Sequence, residues 1–322
     1  MDTRLKNLEN YAYKALLLEV YTSRKPGLVD LCNCGSHEDM DVSLFEKSAA
    51  AIKPFLGQFA KGGAETVHVP KEELLKELRP IGIQAEKAMF EATGGVNTHK
   101  GMIYSMGLLM IALGREVAMG QYYNEELLWE TVSVLGKSTI KTDFNKELIP
   151  GTSGEKQYKK YGLTGARGEA ALGMPSVRLF ALPLLEKRAN PDNLYRVGAG
   201  ILTQIMANLE DSNMISRSNK ETAFFIRKCL KNHFDATGDE AETSKCFLNQ
   251  LDELFIKYHL SPGGAADLLA ISYFLFMVKR DVHMDEEKFK KDTLHFMEQE
   301  DCFLEQEKET LRLLQGKLEE TF

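Results

Sequence analysis

Apolar residues recur at three- and four-residue steps along almost the whole chain, and the strict alternation of a half-buried strand is nearly absent. Leu5, Leu8, Ala12, Ala15, Leu16 and Val20 fall on one helical face until Pro26-Gly27 stops the pattern. The period returns after Ser43, which can cap a helix through Phe45, Ala49, Ile52 and Phe55, with Pro54 predicting a kink or an end. Pro70 opens a charged helix through Leu74, Leu78, Ile81, Ala85 and Met89, with an irregularity at Pro80. Further helices are predicted over about 98–113, 124–140, 192–209, 222–234, 243–258, 263–279 and 286–316, and one follows Gly165. Residues 142–164 carry glycines, lysines and Pro150 without a period and read as a long loop or lid. The pattern predicts an all-α protein, a single multi-helix domain over 1–322 with a central cleft, in which 285–322 form a charged C-terminal helical extension.

Five polar clusters interrupt or open these helices: Ser23-Arg24-Lys25-Pro26-Gly27, Gly95-Val96-Asn97-Thr98-His99-Lys100-Gly101, Gly165-Ala166-Arg167-Gly168-Glu169, Glu210-Asp211-Ser212-Asn213 and Ser261-Pro262-Gly263-Gly264-Ala265. Together they offer cations, glycines that let a ligand approach the backbone, and carboxylates. That is the inventory needed to hold a polyphosphate and its metal, and it points to an enzyme acting on a nucleotide.

Each cluster also has a plainer reading. Asn97 or Thr98 can cap the helix whose first turn holds His99, Lys100 and Gly101, so an anion site and simple capping both fit. Arg167 suits a phosphate or carboxylate through its planar fork, or a salt bridge beside a helix start. On a regular helix Arg167 and Glu169, two apart, diverge. Glu210-Asp211 falls at a helix C-terminus, where carboxylates are disfavoured; bound magnesium compensates, and so does capping of the next helix by Asp211 or Ser212. Ser261-Pro262 is a strong helix start, and Gly263-Gly264 adds exposed backbone donors for a phosphate with Asp267 one turn inside, although the lysine of a Walker loop is missing. Glu19 lies one turn before Lys25, and Gly35-Ser36-His37-Glu38-Asp39 adds His37 and Asp39.

Bulk properties narrow the partners. The chain has 322 residues, 43% of them hydrophobic and 27% charged, enough for one large core. Its formal charge of −7 argues against a nucleic-acid surface. The five cysteines, Cys32, Cys34, Cys229, Cys246 and Cys302, are odd in number and scattered, which suits a reducing compartment. Cys32-Asn33-Cys34 with His37 lacks a second ligand pair, so free thiols are the simpler reading. Glu9 and Glu19 interrupt any signal-like core at the start, and the apolar run 265–278 is shorter than the roughly 20 residues of a membrane span. A cytoplasmic protein with neither nucleic-acid nor membrane partners is expected.

In order along the chain, Glu19-Val20, Lys25-Pro26-Gly27-Leu28-Val29-Asp30, His37 with Asp39-Met40, Asn97-Thr98-His99-Lys100-Gly101, Gly165-Ala166-Arg167-Gly168-Glu169, Glu210-Asp211-Ser212-Asn213 and the run from Ser261 to Ala270 resemble the triphosphoribosyl-dephospho-coenzyme A synthase family. The likeness spans roughly residues 10 to 280. The loop Leu31-Cys32-Asn33-Cys34 and the segment Ser216-Arg217-Ser218-Asn219-Lys220 depart from it.

The resemblance implies an all-helical fold and a reaction in which ATP loses adenine while its triphosphoribosyl group joins a ribose hydroxyl of 3′-dephospho-coenzyme A. The product is the precursor of the prosthetic group of the citrate lyase acyl carrier protein, passed on to an acyl-carrier-protein transferase; malonate decarboxylase systems use a related enzyme. In that setting Lys25, His99, Lys100, Gly101, Arg167, Gly263 and Gly264 are expected to hold the triphosphate. Glu210 and Asp211, with Asp39, are expected to hold Mg2+, and Glu169 and Asp211 to take part in the chemistry, with Glu19, His37 and Asp267 in reserve. Two rivals stay open: a magnesium-dependent ADP-ribose-type glycohydrolase, and a helical scaffold without activity.

Overall fold

The computed structural model describes residues 2–143, 158–237, 243–299 and 305–322, and among them every regular element is helical. Five long helices come first: α1 (Thr3–Tyr21), α2 (Val42–Glu65), α3 (Leu74–Ala92), α4 (Lys100–Ala118) and α5 (Glu125–Asp143). A short α6 (Gly165–Ala171) precedes a π turn, Ser176–Ala181, that runs directly into α7 (Leu182–Arg188). Then follow α8 (Leu194–Asn208), the short α9 (Ser212–Arg217), α10 (Lys220–Thr237), α11 (Lys245–Lys257), α12 (Gly263–Arg280), α13 (Glu286–Met297) and α14 (Glu305–Thr321).

Two helices are apolar on every side because they form the spine. In α4 the buried set runs nearly unbroken from Met102 to Val117, and in α12 from Leu268 to Val278. By length and composition α4 could cross a membrane, yet it lies buried inside the bundle. α1 packs against α2 and α12, while α2 lies across α3 and α4. α8, α10 and α14 continue the stack on the other side, and α13 closes over α1 and α8.

The α2–α4 crossing is a backbone contact. A methyl group on Gly63 would lie 2.1 Å from the carbonyl oxygen of Ile111, and one on Gly114 would lie 2.0 Å from that of Ala60. This packing on three neighbours accounts for the way α2 continues as one helix past Pro54 and does not end there, one of the two outcomes the sequence leaves open. One lost backbone bond is offset by burial along both flanks of the proline. Its cap is Asp41, not Ser43, with Oδ1 accepting the Leu44 amide at 2.7 Å. α3 likewise continues through Pro80.

The final charged stretch divides into α13 and α14. Leu311, Leu314 and Leu318 form the buried stripe of α14 against α10 and α11, while most of its charges face solvent. Glu307 on the same helix is buried and accepts the amide of Ser244 at 2.8 Å and its hydroxyl at 2.6 Å, so the tail is stapled to the start of α11. Most of the proposed lid over 142–164 lies outside the described residues.

Gly114→Ala is expected to lower the unfolding free energy by about 1–3 kcal/mol in urea titration through overpacking. Gly316→Ala, inside α14 with nothing within 4 Å of the added methyl, is expected to raise it by about 0.5–1 kcal/mol.

Candidate active site

α4 and α12, the two buried helices, begin side by side. A methyl group on Gly101, in the first turn of α4, would lie 2.4 Å from Oδ2 of Asp267, one turn into α12. The start of α12 in turn faces the start of α9: methyls on Gly263 and Gly264 would meet Asn213 Nδ2 at 2.8 Å and Asp211 Oδ2 at 3.0 Å. Ser212 Oγ stands 3.2 Å from the Cβ position of Gly165, the first residue of α6. Four of the five polar clusters therefore meet at one end of the bundle. The fifth joins through its charges, since Lys25 acts on His99 at the head of α4 and Glu19 acts on Asp267. Long helices beginning together expose backbone amides and the positive ends of their dipoles, an arrangement suited to an anion.

Asp267 sits at the centre of this arrangement. It keeps partial contact with solvent and accepts no hydrogen bond from any described residue. Desolvation, followed by the charges of Glu19 and Asp211, pushes its carboxyl well above the ordinary carboxylate range. Gly101 supplies the space beside it. Glu19 closes a buried ion pair with Lys25, whose Nζ contacts the Glu19 carboxylate and also the Glu19 carbonyl oxygen, the latter at 2.7 Å. Burial raises the Glu19 carboxyl and Lys25 partly offsets that rise. An ammonium has three N–H donors; Glu19 takes two, and no third acceptor is present among the described residues.

The loop carrying Lys25 is tied to the chain ahead of α12. Lys25 N donates to Asp30 Oδ2 at 2.8 Å, and Gly27 N to Asp252 Oδ1 at 2.9 Å. Ser36 Oγ donates to the Leu260 carbonyl at 2.6 Å, and His37 Nε2 lies 2.9 Å from Ser261 Oγ. Arg217 holds the other face of His37, its Nη2 lying 3.2 Å from Nδ1.

A family described as CitG, ATP:dephospho-CoA triphosphoribosyl transferase, matches residues 5–286. The chain belongs to the ATP:dephospho-CoA triphosphoribosyl transferase family. Among similar proteins is a probable 2-(5″-triphosphoribosyl)-3′-dephosphocoenzyme-A synthase of Photobacterium profundum, 39% identical over 84% of this chain and 87% of its own length. A protein of the same description from Vibrio cholerae is 40% identical over 82% of this chain and 86% of its own. The 2-(5″-triphosphoribosyl)-3′-dephosphocoenzyme-A synthase of Pectobacterium atrosepticum is 38% identical over 84% and 89%. No solved structure matches the chain. The match ends inside α13, so most of α13 and all of α14 lie beyond it.

In this member of the transferase family the remaining expected residues take varied positions. Asp211 is buried, and backbone amides occupy both of its oxygens. Oδ1 accepts Asn213 N at 2.8 Å and Met214 N at 3.3 Å, while Oδ2 accepts Ala265 N at 3.0 Å and lies against the Gly264 amide. It caps α9 and α12 at once, which is the capping alternative left open for this pair. Ser261, read as the cap of α12, bonds His37 instead, and the cap arrives from Asp211, 54 residues away from Ala265. Glu210 is exposed and pairs with Lys220 at 3.7 Å, while Asp39 lies outside His37 at 4.0 Å and is 63% exposed. The three side chains expected around magnesium are thus occupied or turned outward. Among the described residues no three His, Cys, Asp or Glu side chains gather as a metal cage.

Arg167 lies over the same face of α4 as Asp267. Its guanidinium stands 5.6 Å over the ring of Tyr104, three residues from Gly101 and so on one face with it. Asp143 clamps Arg167, its Oδ2 lying 3.0 Å from both Nε and Nη2. Glu169 diverges from Arg167, as the spacing requires, and its carboxylate accepts Ser176 N at 2.7 Å, capping the π turn. Lys100 pairs with Glu86 at 2.9 Å on the surface, and its amide donates to Asn97 Oδ1 at 3.2 Å. Ser48 and Tyr104 were not singled out from sequence. Tyr104 was reachable through its three-residue spacing from Gly101, whereas nothing local marked Ser48.

His99 is buried, with Nδ1 2.7 Å from Ser48 Oγ. Desolvation first and Lys25 second lower its pKa to about 3, so at neutral pH it brings no positive charge to a phosphate. Below its ordinary value of 6.5 the unfolded chain binds a proton that the folded chain refuses until about pH 3. His99 therefore contributes stability above that value which is lost as the pH falls through this window. The urea stability of the native protein relative to His99→Asn is expected to decline steadily over the same range.

Proposed function

We propose that the chain moves the 5-triphosphoribosyl group of ATP onto a ribose hydroxyl of 3′-dephospho-coenzyme A, with Asp267 acting at the sugar carbon that changes partners. What supports this reading, beyond family membership, is one observation: an unpartnered, desolvated carboxyl stands where two long helices begin, with a glycine in place of any side chain beside it.

The reaction breaks the bond between the ribose anomeric carbon and adenine, and the bonding pair departs with the base, which takes up a proton. Positive charge develops on the sugar, and a nearby carboxylate stabilises it. The acceptor hydroxyl oxygen forms the new bond to that carbon, and its proton passes to the Asp267 carboxylate as general base. Every phosphate bond survives, so the groups around the triphosphate hold it still and neutralise it. The first-turn amides of α4, the remaining donor of Lys25 and the guanidinium of Arg167 suit that task. Glu19 fixes Lys25, His99 and Ser48 support the head of α4, and Glu169 holds the π turn behind Arg167.

Magnesium enters this reading as the ion that accompanies the triphosphate, held chiefly by phosphate oxygens and water; no step is routed through it. The product feeds the prosthetic group of citrate lyase through an acyl-carrier-protein transferase, in the cytoplasm.

Mixing the protein with ATP, magnesium and dephospho-coenzyme A is expected to release free adenine and yield a coenzyme product heavier by one triphosphoribosyl unit. Adenine release independent of the acceptor would instead mark a hydrolase. Asp267→Asn is expected to lower kcat by about 10²–10⁴-fold while leaving ATP binding nearly intact. Because the folded state holds a proton on Asp267 to unusually high pH, native kcat is expected to rise as the pH is raised and this carboxyl ionises. The variant is expected to lose that limb, and a kcat unchanged in Asp267→Asn would remove the assignment.

A further inference from the structure

Against Asp211, α8, α9 and α10 line a cavity of about 360 Å3. Its walls are aliphatic: Met206 and Leu209 from the end of α8, Met214 and Ile215 from α9, and Pro262 just ahead of α12. Charged groups line one side, and most are already paired, Lys220 with Glu210 at 3.7 Å and Glu221 with Lys317 at 3.2 Å. Arg227 differs. It has no ion pair among the described residues, and its guanidinium lies 5.3 Å over the ring of Phe224, which is 55% exposed.

We propose that this cavity receives the pantetheine arm of the acceptor, dephospho-coenzyme A, with Arg227 at its edge meeting the acceptor diphosphate. The inference rests on the transferase reading and adds the determinant of acceptor choice. ATP and dephospho-coenzyme A carry the same adenosine, with the same ribose hydroxyls. An enzyme that uses ATP as donor must still refuse it as acceptor, and the pantetheine arm is the chemical difference that binding can read.

Size, lining and position agree with that occupant. The volume falls within the range of about 300–1,000 Å3 typical of small-molecule pockets. Two methionines give a wall that adapts to a flexible, branched aliphatic chain, whereas a purine calls for a flat slot. Asp211 and Pro262 belong both to this wall and to the start of α12, so an arm lodged here leaves its nucleotide end beside the recess of Asp267.

The test compares donor and acceptor constants. Ala223, half-buried in the cavity lining, is replaced by a larger group in Ala223→Phe, and Arg227→Gln removes the edge cation. Both variants are expected to raise KM for dephospho-coenzyme A, by about tenfold or more for Ala223→Phe, with KM for ATP unchanged. Adenosine diphosphate, which lacks the arm, is expected to be a far poorer acceptor for the native enzyme and to be no worse for Ala223→Phe. Pantetheine added to the native enzyme is expected to compete with dephospho-coenzyme A and not with ATP, a result independent of how any variant folds. Acceptor KM unchanged in a folded, active Ala223→Phe, or pantetheine competing with ATP, would overturn the cavity assignment alone. Native protein releasing no adenine from the full mixture would overturn the transferase reading and this inference with it.

Discussion

The recess depends on one carboxylate that ties two helices together. α12 begins with two glycines and no cap of its own, and its first amides are satisfied by Asp211, which also caps α9. Caps of this kind contribute about 0.5–2 kcal/mol each, but here the geometric consequence is larger than the energetic one. Asp211 fixes where α12 starts, and so where Asp267 stands relative to Gly101. The glycine at 264 leaves the carboxylate room to reach those amides, the glycine at 263 leaves room for Asn213, and the glycine at 101 leaves room for Asp267 itself. Further along α4, backbone contact with α2 at Gly63 and Gly114 fixes how that helix lies in the bundle.

Electrostatics within that frame run against stability. A buried ion pair recovers its desolvation cost only with good geometry and further hydrogen bonds, and Lys25–Glu19 has both, through two contacts from one ammonium. Asp267 has no such compensation among the described residues. Groups left uncompensated in this way gather where chemistry is performed. Neutral His99 fits the same logic: burial first and the Lys25 charge second make a positive imidazole too costly, so the ring serves as a hydrogen-bonding support for Ser48.

Helix positions were legible from the sequence because tertiary burial follows the 3.6-residue period; α1, α8, α11 and α12 start and stop close to where the apolar stripe and the caps place them. The convergence of the clusters was legible through family likeness, not through spacing. Individual roles were harder to read, for a physical reason. Whether Arg167 meets a phosphate or Asp143, or Asp211 a metal or two helix starts, depends on partners 24 and 54 residues away in the chain. Likewise, the strong helix start at Ser261-Pro262 was visible, but its capping oxygen belongs to another segment. Neither Pro54 nor Pro80 ends its helix, because local backbone preference yields to packing on several neighbours.

The most direct measurement is the crystal structure of the protein with ATP and dephospho-coenzyme A, trapped with Asp267→Asn. The account predicts triphosphate oxygens within hydrogen-bonding distance of the first-turn amides of α4 and of Lys25 Nζ, with the ribose anomeric carbon beside residue 267. Nucleotide bound at another face of the bundle, with residue 267 out of reach of the sugar, would contradict it.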